Sequence, residues 1–538
     1  MPTRQLYKAA SLLTAFLILL PILAIAAMAL ASSENLFEHL FETVLPAYAL
    51  NTVLLVGGTM TLTLLFGIPT AWLTAMCRFP TSKWLEWLLV LPMAMPGYVV
   101  AYIYTGWFEF SGPVQSLLRD LTGWAAGDYW FPSIRSVGGA ALILALVFYP
   151  YVYLTVRTAF LEQSANLIDS ARLLGSNARD IALRVSLPLV RPAVVVGLSL
   201  VAMETIGDFG TVEYFAVNTL TTAVYDTWLG YSNIAAAARI SSIMLLVIVL
   251  VLAAERLSRK KLYELRGRGE RAGRYELVGT KKWAALFYCW TLVGAGFVLP
   301  FLQLLKFVSE HWDEAWNEEF GRYAANSFEV AVLSAAITLA VGLLLNFYRR
   351  LDDSRTSVTA MHLSSMGYAV PGTVLAIGVM IPLSAADHFL NWGFEILGLS
   401  GPGLWFSGSI FALVIANVVR FSCMPIGSLE ASLGKISPSL DMAAQTMGTG
   451  PGRMFAKIHL PLIRRGILLS VILVFIESMK ELNAAILLRP FDFETLATGV
   501  FNYASDEMLE VAAMPAILLV LAGLLSLILI NRAMDKDA

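Results

Sequence analysis

Stretches of roughly twenty apolar residues with few charges follow one another along this chain, and no other property limits its fold as severely. A helix needs about 20 such residues to cross a hydrocarbon core about 30 Å thick. Inside that core every backbone N–H and C=O must be satisfied within the protein, so a run of this kind crosses as a helix. The runs read as twelve spans, at approximately 11–31, 50–77, 84–108, 138–160, 191–217, 238–256, 284–308, 327–348, 362–383, 405–425, 465–488 and 511–531. Composition agrees, with 58% of the 538 residues hydrophobic and 14% charged, where a soluble domain carries about 25% charged residues. The expected fold class is an all-α polytopic membrane protein.

Two local features could mislead. Arg4 and Lys8 precede the first run, and Ala29-Leu30-Ala31 has the look of a signal-peptidase site. The apolar stretch nevertheless exceeds the roughly 7–15 residues of a signal peptide, so it is read as a retained helix. Cys77, Cys289 and Cys423 lie in or beside apolar runs with no CxxC spacing. They read as small buried hydrophobes, not as a disulfide or metal cluster.

Lysine and arginine set the orientation. With the N-terminus inside, the inner segments hold Arg4 and Lys8; Arg78 and Lys83; Arg172, Arg179, Arg184 and Arg191; the basic stretch Arg256 to Lys282; Arg349, Arg350 and Arg355; Lys435, Arg453, Lys457, Arg464 and Arg465; and Arg532 and Lys536. The outer segments hold Arg119, Arg135, Arg322 and Arg489. Such a bias predicts that both termini are cytoplasmic. The outer loops are acidic, with Glu34, Glu38 and Glu42, then Glu310, Asp313, Glu314, Glu318 and Glu319, then Asp492, Glu494, Asp506, Glu507 and Glu510. They serve either as solvated loops or as a surface that steers a basic partner or a cation.

The chain repeats itself. Asn51 matches Asn326, Gly67 matches Gly342 and Pro96-Gly97 matches Pro371-Gly372, each at an offset of 275. Gly175 with Gly448, Pro188 with Pro461 and Glu204 with Glu477 follow at 273. Six spans per half keep both halves the same way round, as parallel repeats about an axis along the membrane normal. The expected units are residues 1–256, a basic cytoplasmic linker at 257–283 that could lie on anionic lipid headgroups, and residues 284–538.

In each half a polar stretch stands on the predicted cytoplasmic side, near 161–190 and near 430–464. The first contains Asp169, Ser170, Ala171, Gly175, Val185, Leu187 and Pro188; the second contains Asp441, Met442, Ala443, Ala444, Gly448, Ile458, Leu460 and Pro461. Gly lies thirteen residues before Pro in both. Glycine permits a sharp reversal at a helix end, and proline suits the first turn of the next helix. Small residues beside the glycine (Ala171, Ala443, Ala444) would let another surface approach closely. A plain interfacial loop would have no reason to recur with the same spacing.

Ionisable residues within spans are costly and are functional candidates by default. Glu204 and Asp208 are four apart, so they are expected to share a helix face; Glu477 and Glu481 occupy the equivalent places. Facing one another, the four carboxylates would line one pathway with oxygen ligands of the type hard cations favour. Tyr98, Tyr149, Tyr151 and Tyr153 would either add phenolic oxygens or pack in the core. The competing roles for the carboxylates are pairing with Lys480, Arg157 or Arg420, and a gate or contact with a binding protein. Pro96 and Pro371 mark either breaks that line a path or tolerated kinks.

Neither GxxxxGK[ST] nor HExxH, GxSxG or a paired Cys/His cluster occurs; Gly448-Thr-Gly-Pro-Gly452 is followed by Arg453 and follows no predicted strand. No catalytic residue and no cofactor is therefore expected on this chain.

The twin polar stretches resemble the cytoplasmic signature of bacterial ABC importer permeases: Glu-Ala-Ala, three residues, Gly, nine residues, Ile, one residue, Leu-Pro. The second copy departs from it, with Met442 at the acidic position and Asp441 one residue early. Within that family the chain is similar to ferric-iron permeases with two fused halves. Leu91-Pro-Met-Ala-Met-Pro-Gly-Tyr98, Gly112-Pro-Val-Gln115, Asp128-Tyr-Trp-Phe-Pro132, Tyr149-Pro-Tyr-Val-Tyr153 and Met203-Glu-Thr-Ile-Gly-Asp-Phe-Gly-Thr-Val-Glu-Tyr214 carry the likeness. Related two-half permeases carry thiamine or organophosphonates. The resemblance implies an inner-membrane subunit of an ATP-driven importer, not itself an enzyme, with ATP and Mg on a separate subunit. It further implies two copies of that subunit, one under each loop, and a periplasmic solute-binding protein; no nucleic acid is involved. The rival from another class is an ion-coupled secondary carrier, which would have no use for twin docking loops.

Overall fold

The computed structural model describes residues 2–31, 36–125, 127–259 and 273–535. Glu34, Lys536 and the linker residues 260–272 lie outside the described residues. The main helices are α1 (Pro2–Ala31), α2 (Leu45–Met76), α3 (Gly97–Phe108), α4 (Val137–Leu161), α5 (Ala165–Leu173), α6 (Leu187–Gly207) and α7 (Ile234–Arg259). After the linker come α8 (Thr280–Glu310), α9 (Glu318–Leu351), α10 (Gly372–Ile396), α11 (Ile410–Phe421), α12 (Cys423–Gly434), α13 (Pro438–Thr446), α14 (Arg464–Lys480) and α15 (Leu509–Asp535). Two residues of β1 (Cys77–Arg78) pair in parallel with β2 (Tyr275–Glu276).

Among the described residues nine helices are long and apolar enough to cross a membrane, or twelve if each of three bent pairs is one span. Every apolar run of the sequence falls on one of these. The third run is not straight: Ser82–Ala94 and Gly97–Thr122 meet at 90°. Proline is the cause. It disfavours helical geometry in the residue before it, and Met95 and Val370 are both extended, with ψ of 126° and 124°. Pro96 and Pro371 then cap the helices that begin at Gly97 and Gly372. These are breaks, not kinks.

The fifth and eleventh runs also stop earlier than expected. α6 ends at Gly207 and α14 at Lys480, and the next residues, Asp208 and Glu481, have left the helix with ψ of 128° and 111°. The expectation that Glu204 and Asp208 share a helix face is corrected accordingly, and so is the same expectation for Glu477 and Glu481.

The repeat is visible in the bonding. Asn51 Nδ2 donates to the Asn218 carbonyl at 3.0 Å, and Asn326 Nδ2 to the Glu494 carbonyl at 2.9 Å. Thr52 Oγ1 accepts from the Leu220 amide, and Ser327 Oγ from the Leu496 amide. Thr219 with Thr222 and Thr495 with Thr498 close matching capping boxes. The Asn and Thr/Ser bonds fix a short helix against a long one, and the capping boxes close the start of each short helix. Gly67 and Gly342 serve the same packing role: a Cβ on either would lie 2.9 Å from Val152 Cβ or Pro425 Cβ.

The halves also interlock. α1 packs on α10, α9 and α7, with Tyr7 edge-on to Phe347 at 5.1 Å and the Pro21 carbonyl against Gly378. In return α8 packs against the first half: Tyr104 donates to the Ala295 carbonyl at 2.7 Å, Tyr288 donates to the Leu65 carbonyl, and Gly296 abuts Pro92. The first helix of each repeat thus lies against the other repeat. Of four π-helical turns among the described residues, three, Ile181–Ser186, Gly294–Val298 and Phe455–His459, each end two residues before a proline. A proline ring would clash with the carbonyl four residues back, and the wider turn relieves that conflict.

Candidate functional site: a carboxylate-lined cavity and two glycine turns

Asp208 and Glu481 sit where two helices end and two short ones begin. Asp208 accepts hydrogen bonds from Thr211 N (3.0 Å), Thr211 Oγ1 (3.2 Å) and Val212 N (3.3 Å). Glu481 accepts from Ala484 N at 2.9 Å and from Arg420 Nη1 at 3.1 Å. Opposite them stand the two Pro-Gly breaks. A Cβ at Gly97 would lie 3.9 Å from Asp208 Oδ2, and one at Gly372 would lie 2.7 Å from Glu481 Oε1. Glycine is required at the second site because backbone and carboxylate approach that closely.

A cavity of about 140 Å³ opens between these parts, and Glu204, Asp208, Glu477 and Glu481 all line it. Tyr98 and Tyr151 line it too, while Tyr149 and Tyr153 are buried elsewhere, Tyr153 donating to the Glu86 carbonyl. Glu204 accepts from the Tyr368 hydroxyl at 3.0 Å. Glu477 pairs with Lys480 at 3.0 Å and Glu481 with Arg420 at 3.1 Å. Arg157 turns away and pairs with Glu86 at 2.6 Å. Among the described residues no three His, Cys, Asp or Glu side chains converge tightly enough to hold a metal ion.

Tyr368, Asn483, Met93, Met95, Phe148 and Phe421 also line the cavity. None of these was expected at the site from charge or motif. The repeat offset could have found Phe148 and Phe421, which are 273 apart, but nothing local marks Tyr368 or Asn483. Asn483 Nδ2 ties the second half to the Gly207 carbonyl of the first at 2.8 Å.

The glycine turns are built alike. Gly175 and Gly448 have φ of +83° and +75°, the left-handed geometry glycine adopts without a Cβ penalty. Gly175 N donates to Arg172 O and Ser176 N to Ala171 O; Gly448 N donates to Gln445 O and Thr449 N to Ala444 O. Both are Schellman closures. Asp169, Ser170 and Gly175 are exposed, as are Met442, Ala443, Gly448 and Pro461, while Ala171 and Pro188 are half-buried. Leu173 and Leu174 project at 89% and 86% exposure.

Two residues of the second turn depart from expectation. Ala444 is buried within this chain, so it cannot offer a close approach to another surface. Asp441 points inward to Arg350 at 2.6 Å and His459 at 2.8 Å. The reason is helical phase: Asp441 and Ala444, three apart, share the inward face of α13, leaving Met442 and Ala443 outside.

Residues 64–262 match the family described as the binding-protein-dependent transport system inner membrane component. Over 502 residues the chain is 24% identical to the Fe(3+)-transport system permease protein FbpB 2 of Haemophilus influenzae, covering 92% of this chain and 91% of that protein. It is 21% identical to the ferric transport system permease protein FbpB of Actinobacillus pleuropneumoniae, over 86% of this chain and 67% of the relative. A shorter match, 30% over 153 residues, joins 28% of this chain to 64% of the molybdenum transport system permease protein ModB of Escherichia coli. Paired glycine turns and repeated helices thus accompany a match to the binding-protein-dependent transport permeases over residues 64–262, and a similarity to ferric permeases that runs along most of the chain.

Proposed function

We propose that this chain is the permease subunit through which ferric iron enters the cytoplasm, driven by ATP hydrolysed on a separate subunit. The observation that carries this reading is the likeness to a ferric permease along nearly the whole chain, 502 residues. The cavity supports it, because four carboxylates and several phenols are oxygen donors of the class a hard cation prefers. The basic bias of the segments around Gly175 and Gly448 supports a cytoplasmic position for both turns and both termini. One copy of the ATP-binding subunit would sit under each turn, and a soluble binding protein would deliver iron from the periplasm. Closure of the ATPase pair would press the turns together and rock one half against the other. The basic linker would rest on lipid headgroups, and the repeat would divide into residues 1–256 and 284–538.

The test is iron accumulation in cells. A strain dependent on this chain should take up radiolabelled Fe3+ in an ATP-dependent way, and an affinity-tagged chain should retain an ATP-binding subunit. Uptake of a small organic solute with no iron uptake would reassign the cargo; the absence of any ATPase partner would remove the importer reading.

A further inference from the structure

Two carboxylates from each half line the cavity, and one guanidinium stands among them. Arg420 Nη1 donates to Glu481 Oε1 at 3.1 Å within the second half. Among the described residues the same side chain is also the strongest opposing charge on Glu204 of the first half. It faces Glu477 more weakly, and that carboxylate has its own pair in Lys480 at 3.0 Å. One guanidinium therefore serves carboxylates of both repeats. The repeat supplies no second one, because the position 273 residues earlier is Val147, which lines the same cavity.

The seat of this guanidinium is close-fitting but incompletely bonded. A Cβ on Gly372 would lie 2.7 Å from Arg420 Nη1 and 2.7 Å from Glu481 Oε1, so the glycine after Pro371 is what leaves room for the pair. Arg420 Nε is buried with no hydrogen-bond partner. The Tyr98 hydroxyl, which faces Glu481 and then Asp208, has none either. Buried polar groups are normally satisfied, and one left unmade is unfavourable. Charge, more than a full set of hydrogen bonds, holds the guanidinium here, and a cation held by charge can be exchanged for another.

We infer that the Arg420 guanidinium stands in the place of the cargo cation, as a tethered competitor that the cargo displaces in order to pass. A guanidinium carries one positive charge and a ferric ion three, so the cargo can win Glu204 and Glu481 when it arrives. The tethered group stays at high effective concentration and takes the carboxylates back, which keeps the ion's stay short, as conduction requires. Cations of lower charge would fail to displace it, so Arg420 is a specificity-determining position. This inference rests on the proposal that the cargo is ferric iron.

The probe is Tb3+, a hard trivalent cation whose luminescence is sensitised by nearby tyrosines, added to the solubilised importer with its ATP-binding subunit. A site filled by its competitor about nine-tenths of the time binds about tenfold more weakly, so Arg420→Gln should tighten Tb3+ binding by about that factor. Arg420→Lys keeps the charge and should stay close to wild type. In proteoliposomes supplied with Fe3+-loaded binding protein, Arg420→Gln should slow uptake while stimulation of the ATPase by the binding protein is retained. Unchanged or weaker Tb3+ binding by Arg420→Gln would overturn the competitor; a merely structural arginine predicts that result. Should that variant fail to assemble, the pair can be removed together: Arg420→Gln with Glu481→Gln should bind Tb3+ more tightly than Glu481→Gln alone, and equal affinities would overturn the inference. A wild-type importer that moves no Fe3+ would instead overturn the proposed cargo and leave the Tb3+ comparison standing.

Discussion

Arg172 donates to the carbonyl oxygen of Gly273 at 2.8 Å across 101 residues of sequence. The same guanidinium lies over the Tyr275 ring at 4.4 Å, bonds its hydroxyl at 3.2 Å and pairs with Asp169 at 3.0 Å. Beside it, β2 pairs with β1, and Arg274 joins Arg157 on Glu86. The distal end of the linker is thereby strapped to the first glycine turn. The second turn has an internal latch instead, in which Arg350 holds Asp441 and the carbonyls of Leu433 and Ile436. The first half has Ala75 and Ile168 at the equivalent places, so it has no such latch, and the linker supplies one.

Removing the strap should loosen one turn and spare the other. A charged hydrogen bond to a carbonyl contributes about 1.5–3 kcal/mol, and partial exposure of Arg172 places it toward the low end. Arg172→Ala should speed hydrogen exchange at Tyr275 to Leu277 and at α5, with no change at α13. Equal loosening of both turns would contradict the strap.

The internal latch should respond to acid. Burial acts to raise the Asp441 carboxyl, and hydrogen bonds from Arg350 and His459, with the Arg350 charge, overcome it, so the group lies below the usual aspartate value. An acid held low in the fold adds stability above about pH 4, and that stability is lost as pH falls through the folded value. Asp441→Asn should destabilise the solubilised chain by about 1–3 kcal/mol at pH 7 and flatten the acid side of its thermal-stability profile. An unchanged profile would count against the latch.

At the turns, Gly175→Ala and Gly448→Ala should each cost about 1–2 kcal/mol through left-handed backbone alone, since nothing lies within 4 Å of the added Cβ. Asn tolerates that geometry better, so Gly448→Asn should recover part of the loss. Thermal unfolding of the three variants checks the order.

Gly67 and Gly57 lie on one helix but predict opposite outcomes. Gly67→Ala drives a Cβ to within 2.9 Å of Val152 and 3.1 Å of the Tyr149 carbonyl, an overpacking cost of about 1–3 kcal/mol. Gly57→Ala meets nothing within 4 Å and should be neutral or stabilising by up to about 1 kcal/mol. Thermal stability in detergent separates them, and similar losses for both would rule out the close α2–α4 contact as the cause.

Much of this architecture was legible one residue at a time. Apolar run length marked every span, because the bilayer leaves a chain no other way to hide its backbone. The thirteen-residue Gly–Pro interval marked both turns, because a left-handed glycine and a helix-starting proline are local requirements. Glu204 and Glu477 stood out because charge inside an apolar run is costly wherever it occurs. What could not be read is where helices stop and what they touch. Asp208 and Glu481 look like helical neighbours of Glu204 and Glu477 until the chain turns beneath them to cap the next short helix. Ala444 looks available until α13 settles with that face inward. The exchange of α1 and α8 between halves and the strap from Gly273 to Arg172 were decided only by tertiary structure. Local preferences depend on neighbours within a turn or two, whereas these features are choices of partner among helices hundreds of residues apart, settled when all the surfaces packed together.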